Sequence, residues 1–260
     1  MRVFITGCNS FTGKHLARTV EAGLSEAVLF AMDRLDGAPE GLASFQVDIT
    51  DAPAVARVVA EVRPDVVLHL AGVLRRDRDL SFQVNVNGTR NLLEACAALA
   101  SPPRVVAVSS AAVYGRVPAG RNPVTEDEPL RPLDAYGASK AAMEASALGI
   151  ADVPVLVARP FNLIGPGLPS GLAATDFLLT ARRARAAGTS TLPVGNLDSF
   201  RDLIDVRDVA EALWRLARQP GVEGQVFNIA TGAGTSMREL FEAAFAVTGV
   251  SVRTDQDTAR

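Results

Sequence analysis

The stretch from Arg2 to Gly13 restricts the fold more than any other. Arg2 to Thr6 is a short apolar run ending on a glycine, the pattern of a buried strand. Gly7-Cys8-Asn9-Ser10-Phe11-Thr12-Gly13 follows, and Lys14-His15-Leu16-Ala17-Arg18-Thr19-Val20 then shows helical apolar spacing. A strand, a glycine turn and a helix in succession put backbone N–H groups at a helix N-terminus, a ready site for a pyrophosphate.

The same alternation continues. Ala27 to Met32 reads as a second strand followed by Asp33-Arg34. An acidic residue about 20 positions past such a turn can take the ribose hydroxyls of NAD. Arg34 beside it can instead receive the 2'-phosphate of NADP. Phe45 to Ile49 reads as a third strand, and the helix after it ends near Arg63-Pro64. Asp65 to Gly72 is a continuous apolar strand, as in a parallel sheet covered on both faces. His69 within it reads as a packed strand histidine. Arg75 to Asp79 is a charged, solvated loop, and the polar set Asn85-Val86-Asn87-Gly88-Thr89-Arg90-Asn91 opens or occupies the next long helix. Val105 to Ser109 and Val153 to Ala158 are further strands, separated by a Pro- and Gly-rich loop over Pro118–Pro132. Strands alternating with helices predict an α/β fold with a doubly wound parallel sheet. A hydroxyl after a parallel strand, as at Ser110, sits where ligands bind in such sheets.

After Arg159 the pattern loosens. Gly165 to Gly171 is irregular, a helix covers about Thr175 to Ala187, and Val206 to Leu216 and Val226 to Ile229 return to the sheet pattern. The expected organisation is a dinucleotide-binding Rossmann part over 1–160 with 203–230 returning to it. A smaller, discontinuous substrate-binding part takes 161–202 and 231–260.

Within Ala135-Tyr136-Gly137-Ala138-Ser139-Lys140, Tyr136 and Lys140 are four apart and share a helix face. A phenol has an unperturbed pKa of about 10. An ammonium one turn away is expected to favour the phenolate, making Tyr136 a proton donor or acceptor. Arginine is abundant, yet the only lysines are Lys14 and Lys140. The two residue types are not interchangeable.

Composition limits the partners. The 260-residue chain carries a net charge of -3, so no basic footprint for nucleic acid is expected. Cys8 and Cys96 make neither a disulfide framework nor a zinc site, so no metal is expected and a reducing, cytoplasmic compartment is. The first residues lack a signal-peptide pattern, and no apolar run reaches the roughly 18 residues that span a bilayer.

The glycine turn, Asp33, Ser110, Tyr136 and Lys140, in this order and spacing, resemble the extended short-chain dehydrogenase/reductase family of the NAD-dependent epimerase/dehydratase type, over essentially the whole chain. In that family Ser10 stands where a glycine is usual, so its side chain either crowds a phosphate or hydrogen-bonds to it. Arg159-Pro160-Phe161-Asn162-Leu163-Ile164-Gly165-Pro166-Gly167 is similar to the matching stretch of GDP-4-keto-6-deoxymannose reductases, where a histidine usually stands at Leu163. Val194-Gly195-Asn196-Leu197-Asp198-Ser199-Phe200-Arg201-Asp202 resembles a nucleotide-sugar strand of the same enzymes, and Val226–Gly232 follows their pattern.

The resemblance implies Ser110, Tyr136 and Lys140 as the catalytic set. It implies NAD(H) or NADP(H) held by Gly7, Ser10, Phe11, Thr12, Gly13, Asp33, Arg34, Asp48, Ile49, Leu70, Ala71, Gly72, Asn87, Tyr136, Lys140 and Pro160. It assigns the substrate, a nucleotide-linked sugar, to Ser110, Ala111, Asn162, Val194, Asn196 and Arg201. It further implies a homodimer through the helices near Asn85–Ala98 and Ala135–Leu148, and family members that continue several tens of residues past Arg260. The reaction implied is reduction of a 4-keto-6-deoxyhexose, with a 4-epimerase as the alternative and a non-catalytic NAD(P)-sensing protein as the alternative from another class.

Overall fold

The computed structural model describes residues 1–23, 28–37, 42–74, 77–189 and 191–256. Ala27, at the start of the expected second strand, and Arg75 and Arg76 of the charged loop lie outside the described residues. The chain opens with β1 (Arg2–Thr6), α1 (Phe11–Ala22), β2 (Val28–Asp33), β3 (Ala43–Gln46), α2 (Ala52–Val62) and β4 (Val66–His69). The short α3 (Arg78–Phe82) runs into a π-helical turn (Gln83–Gly88) and α4 (Thr89–Ala97). Next come β5 (Arg104–Val108), a 3₁₀ turn (Ala111–Tyr114), α5 (Ala135–Leu148) and β6 (Val155–Pro160). The remainder holds β7 (Asn162–Ile164), α6 (Ala173–Ala187), β8 (Thr191–Val194), β9 (Phe200–Asp205), α7 (Val206–Arg218), β10 (Val226–Ile229), β11 (Gly234–Ser236), α8 (Met237–Thr248) and β12 (Arg253–Gln256).

The chain divides into two compact units. The first is Met1–Phe161 with Val206–Ile229. Among the described residues its seven strands form one sheet in the order β10-β6-β5-β4-β1-β2-β3, and every pairing is parallel. Val67, Leu68, Val105, Val106 and Ala107 are fully buried, as expected for strands covered on both faces. Chain order reverses between β1 and β4, and a crevice at the carboxyl ends of these strands is where open α/β sheets bind ligands.

Several boundaries differ from the sequence-based expectation, each for a local reason. Helix α1 starts at Phe11 rather than Lys14, because the Ser10 side chain caps it by accepting from Gly13 N at 3.0 Å. Strand β3 covers Ala43–Gln46 rather than Phe45–Ile49. Beyond it Asp48 Oδ1 accepts from both the backbone N and the Oγ1 of Thr50, at 2.9 and 2.7 Å, and this turn ends the strand. Strand β4 is Val66–His69, and Leu70 to Gly72 leave the ladder to line a cavity. Residues 203–205, expected in the first part, complete β9 in the second unit.

The second unit is Asn162–Asp205 with Ala230–Arg260. Within it β9 pairs antiparallel with β11 and parallel with β7, and β8 pairs parallel with β12. Its core is Ala181, Ala184, Leu197, Phe241 and Phe245. Helix α8 begins with a capping box, in which Ser236 and Glu239 satisfy each other's backbone N–H groups.

Candidate active site

A cavity of about 230 Å³ opens at the carboxyl ends of β1, β2 and β4. Gly7, Ser10, Asp33, Arg34, Asp48, Ile49, Leu70, Ala71 and Gly72 all line it, as sequence reasoning expected of cofactor ligands. Gly7 has φ +73°, and a Cβ there would lie 2.7 Å from Ala71 N. Only glycine meets both demands, and its bare backbone lets the turn pack directly against the Leu70–Ala71 backbone after β4. The Ser10 oxygen accepts from the Gly13 N–H as a helix cap, which leaves its hydroxyl proton available to a neighbouring acceptor. Phe11 and Thr12 form the half-buried first turn of α1, with Phe11 packed edge-on against His15 at 5.5 Å.

Asp33, at the end of β2, is fixed in place. Its Oδ2 accepts from Asn9 N at 2.9 Å and its Oδ1 from Leu35 N at 3.0 Å. Asn9 Nδ2 also donates to Leu35 O at 2.9 Å, so this residue joins the glycine turn to the loop after β2. Sequence reasoning missed Asn9; its place inside the glycine turn was the available signal. Arg34 is exposed at the rim.

Ser110, Tyr136 and Lys140 come together beside the end of β5. Ser110 Oγ accepts from Ala112 N at 3.2 Å, capping the 3₁₀ turn, and hydrogen-bonds Tyr136. With a lone pair taken by Ala112, its proton is free for the phenol oxygen. Asp134 caps α5 by accepting from Gly137 N at 2.7 Å, which starts the helix just before Tyr136, and the four-residue spacing puts Tyr136 and Lys140 on one face. Buried Lys140 donates to Val108 O at 2.8 Å.

The expected Lys140-driven lowering of the Tyr136 pKa is not what this geometry produces. Burial pushes the phenol up, the Ser110 hydrogen bond opposes this, and Asp134 adds to the rise. Burial brings the Lys140 ammonium down to about 8, with the Glu144 carboxylate acting to raise it. A low-dielectric site disfavours both charged forms.

Asn87, expected to touch the cofactor, is exposed on the π turn. Asn85 is the inward asparagine: its Oδ1 accepts from Val73 N at 2.8 Å and its Nδ2 donates to Ser139 Oγ at 2.8 Å. Ser139 Oγ donates in turn to Tyr136 O at 2.8 Å. On this π-helical turn Asn85 is buried and Asn87 is exposed. His69 bridges Thr6 Oγ1 at 2.7 Å and Thr89 Oγ1 at 2.8 Å. Burial, then the Lys140 charge, lower its pKa to about 3, so it is a neutral packing residue.

Of the expected substrate residues, Ser110 and Ala111 lie at the 3₁₀ turn after β5, while Pro160, expected at the cofactor, is buried at the end of β6. The others belong to the second unit. Exposed Asn162 donates to Asp202 O at 3.2 Å, and exposed Arg201 donates to Phe200 O at 2.7 Å. Exposed Asn196 accepts from Asp198 N at 2.8 Å. Val194 is half-buried against the Phe241–Phe245 core, a packing position. Among the described residues no cluster of three or more His, Cys, Asp or Glu could hold a metal, and no helix is long and apolar enough to cross a membrane.

Residues 3–230 match the NAD-dependent epimerase/dehydratase family. The GDP-6-deoxy-D-mannose reductase of Pseudomonas aeruginosa is 34% identical over 268 residues, spanning 100% of this chain and 84% of that enzyme. The solved structure of RMD from Pseudomonas aeruginosa, complexed with NADPH, superposes with a TM-score of 0.85 at 34% identity, covering 100% of this chain and 86% of RMD. Thermus thermophilus UDP-glucose 4-epimerase, in complex with NAD, gives a TM-score of 0.83 at 31% identity over 98% of this chain and 86% of its own. The glycine cradle, the fixed Asp33 carboxylate and the cavity at the sheet's switch point suit such a dinucleotide, and the cofactor is NAD(H) or NADP(H). Since the match runs from β1 through β10, the protein belongs to the NAD-dependent epimerase/dehydratase family and is an NAD(P)-dependent enzyme.

Proposed function

We propose that the protein reduces a nucleotide-linked 4-keto-6-deoxyhexose, with GDP as the nucleotide. The observation that carries this reading is the 34% identity to a GDP-6-deoxy-D-mannose reductase along the whole chain, together with an intact Ser110–Tyr136–Lys140 set. The reduced nicotinamide, when bound, supplies the hydride. Tyr136 Oη gives its proton to the oxygen that becomes the new hydroxyl. The Ser110 hydroxyl orients and polarises that oxygen and opposes the burial that disfavours the phenolate, and Lys140 is assigned to the nicotinamide ribose. Ala111 and Ala112 follow Ser110 and offer neither acid nor base, which argues against dehydration, since eliminating water needs an extra proton donor and acceptor. Arg201 and Asn162 are assigned to the sugar nucleotide, because a guanidinium fork suits a diphosphate.

The test is to mix the protein with GDP-4-keto-6-deoxymannose and NADH or NADPH. Stoichiometric loss of the reduced-nicotinamide absorbance supports the reading. Interconversion of a nucleotide hexose with its 4-epimer, with no added cofactor consumed, replaces it with the epimerase reading. Binding of cofactor without turnover of any nucleotide sugar favours a sensor. We further assign the enzyme to the cytoplasm, where its free thiols Cys8 and Cys96 stay reduced, and to a homodimer formed by α4 and α5. Light scattering that finds only monomer at micromolar concentration removes the dimer.

A further inference from the structure

Behind the catalytic set lies a buried polar cluster that the proposed mechanism does not use. Glu144 and Arg159 form a two-pronged pair, Arg159 Nη2 to Oε2 at 2.6 Å and Nε to Oε1 at 3.0 Å. Their side chains are only 4% and 5% exposed. Ser109 Oγ donates to Glu144 Oε1, and Arg159 Nη1 donates to the Tyr114 hydroxyl at 2.7 Å. Tyr114 donates to Asn228 Oδ1 at 2.7 Å, which ties the cluster to β10.

Two features make this cluster more than a structural clamp. Ser109 N makes the last sheet bond of its strand, to Ala158 O at 2.7 Å, before the chain turns out at Ser110. Its side-chain bond to Glu144 is therefore the last anchor before the catalytic hydroxyl. Glu144 is also one helical turn beyond Lys140, on the same face. We propose that Glu144, anchored by Arg159, is a positioning residue for the catalytic set: it ties the Ser109–Ser110 strand end to the helix carrying Tyr136 and Lys140, and supplies the negative charge against which the Lys140 ammonium is held. This rests on the proposed function only for the reaction whose rate is read.

The charged and titratable groups around Lys140 are Glu144 and Tyr136 on its own helix, with Asp134 at that helix's start. His69 faces it from β4, and Arg159 on β6 faces Glu144 from behind. The π turn contributes the neutral Asn85 and β5 the Val108 carbonyl. Of these, Glu144 is the group that favours the charged lysine.

The test uses Ser109→Ala, Glu144→Gln and the double variant Glu144→Gln/Arg159→Met. The double variant removes both buried charges together, so it stays measurable if Glu144→Gln alone fails to fold. The chain has two lysines, Lys14 and Lys140, so isotope-labelled lysine gives two NMR titration curves with Lys14 as the internal control. That measurement needs no substrate and holds even if the reductase reading fails. The expected result is a Lys140 titration below that of the wild-type protein in both Glu144→Gln variants, and unchanged in Ser109→Ala. Ser109→Ala lowers kcat by about 10- to 100-fold, as small displacements of reacting groups do, with KM for the cofactor unchanged. A wild-type Lys140 titration in a folded variant lacking the Glu144 carboxylate, or wild-type kcat in Ser109→Ala, overturns the proposal. A purely structural role for Glu144 shifts only the melting temperature.

Discussion

The two units use similar polar contacts in opposite surroundings. In the first, Glu144 and Arg159 meet at 2.6 Å with side chains 4% and 5% exposed; in the second, Arg238 and Asp198 meet at 3.0 Å with side chains 40% and 68% exposed. A buried pair gains little over an apolar replacement, yet breaking it strands a charge in a low dielectric. An exposed pair contributes little either way, because water and salt screen it. In the first unit, then, polar groups are locked to one another around Ser110, Tyr136 and Lys140, an arrangement suited to holding reacting groups still. In the second they fasten turns at the surface: Asp202 accepts from Thr231 N at 2.9 Å and from Gly232 N at 2.7 Å. The residues assigned to the sugar nucleotide there, Asn162 and Arg201, remain exposed.

The largest expected effect separates chemistry from this architecture. Tyr136→Phe leaves the Glu144–Arg159 cluster intact, so folding and cofactor binding change little while turnover falls by about 10²–10⁴-fold. Steady-state rates beside a cofactor titration check this. Full activity in the variant would remove Tyr136 as the proton carrier.

Next is stability within the cluster. Arg159→Ala leaves Glu144 buried and unpaired, and costs about 3–5 kcal/mol. Urea unfolding measures it through a lower midpoint at unchanged slope.

The units also differ in acid. His69 in the first has its pKa lowered from 6.5 to about 3. Between these values the unfolded chain binds a proton that the native state refuses, so this contribution is fully present above pH 6.5 and is lost as pH falls toward 3. In the second unit the Glu239 carboxyl is held below its ordinary 4.5, mainly by the Ser236 backbone N–H. Its contribution is lost only below that pH. His69→Gln should flatten the stability profile between pH 6.5 and 4.5, where the Glu239 contribution has not yet begun to fall. An unchanged slope there would mean that His69 is protonated in the native state.

What the sequence made legible follows the same division. The β1–glycine turn–α1 unit could be read because a backbone with φ +73° at Gly7 admits essentially one residue type. Tyr136 and Lys140 could be paired because helical spacing alone fixes their shared face. Asn85 was not singled out, because the partners that hold it inward, Val73 and Ser139, are distant in sequence. The sign of the Tyr136 shift was misjudged because spacing supplies the neighbouring charge but not the burial that opposes it. Glu144 and Arg159 are 15 residues apart on a helix and a strand, so no local pattern pairs them. Asn9 and Ser10 lay inside a recognised motif, yet their hydrogen-bond partners come from tertiary and capping geometry.

The smallest effect is expected at the exposed pair. Arg238→Ala removes the partner of an Asp198 side chain that is 68% exposed, so the charge it leaves is screened by solvent rather than stranded. The cost is below about 1 kcal/mol and shrinks further in high salt. Ser236→Ala, two residues away, should cost about 1 kcal/mol, because it leaves the Glu239 N–H without its cap and this loss is not relieved by salt. Urea unfolding of both variants at low and high ionic strength separates the two causes: only the Arg238→Ala difference should fade. If Arg238→Ala were instead as damaging as Arg159→Ala and insensitive to salt, burial would not be what distinguishes the polar contacts of the two units.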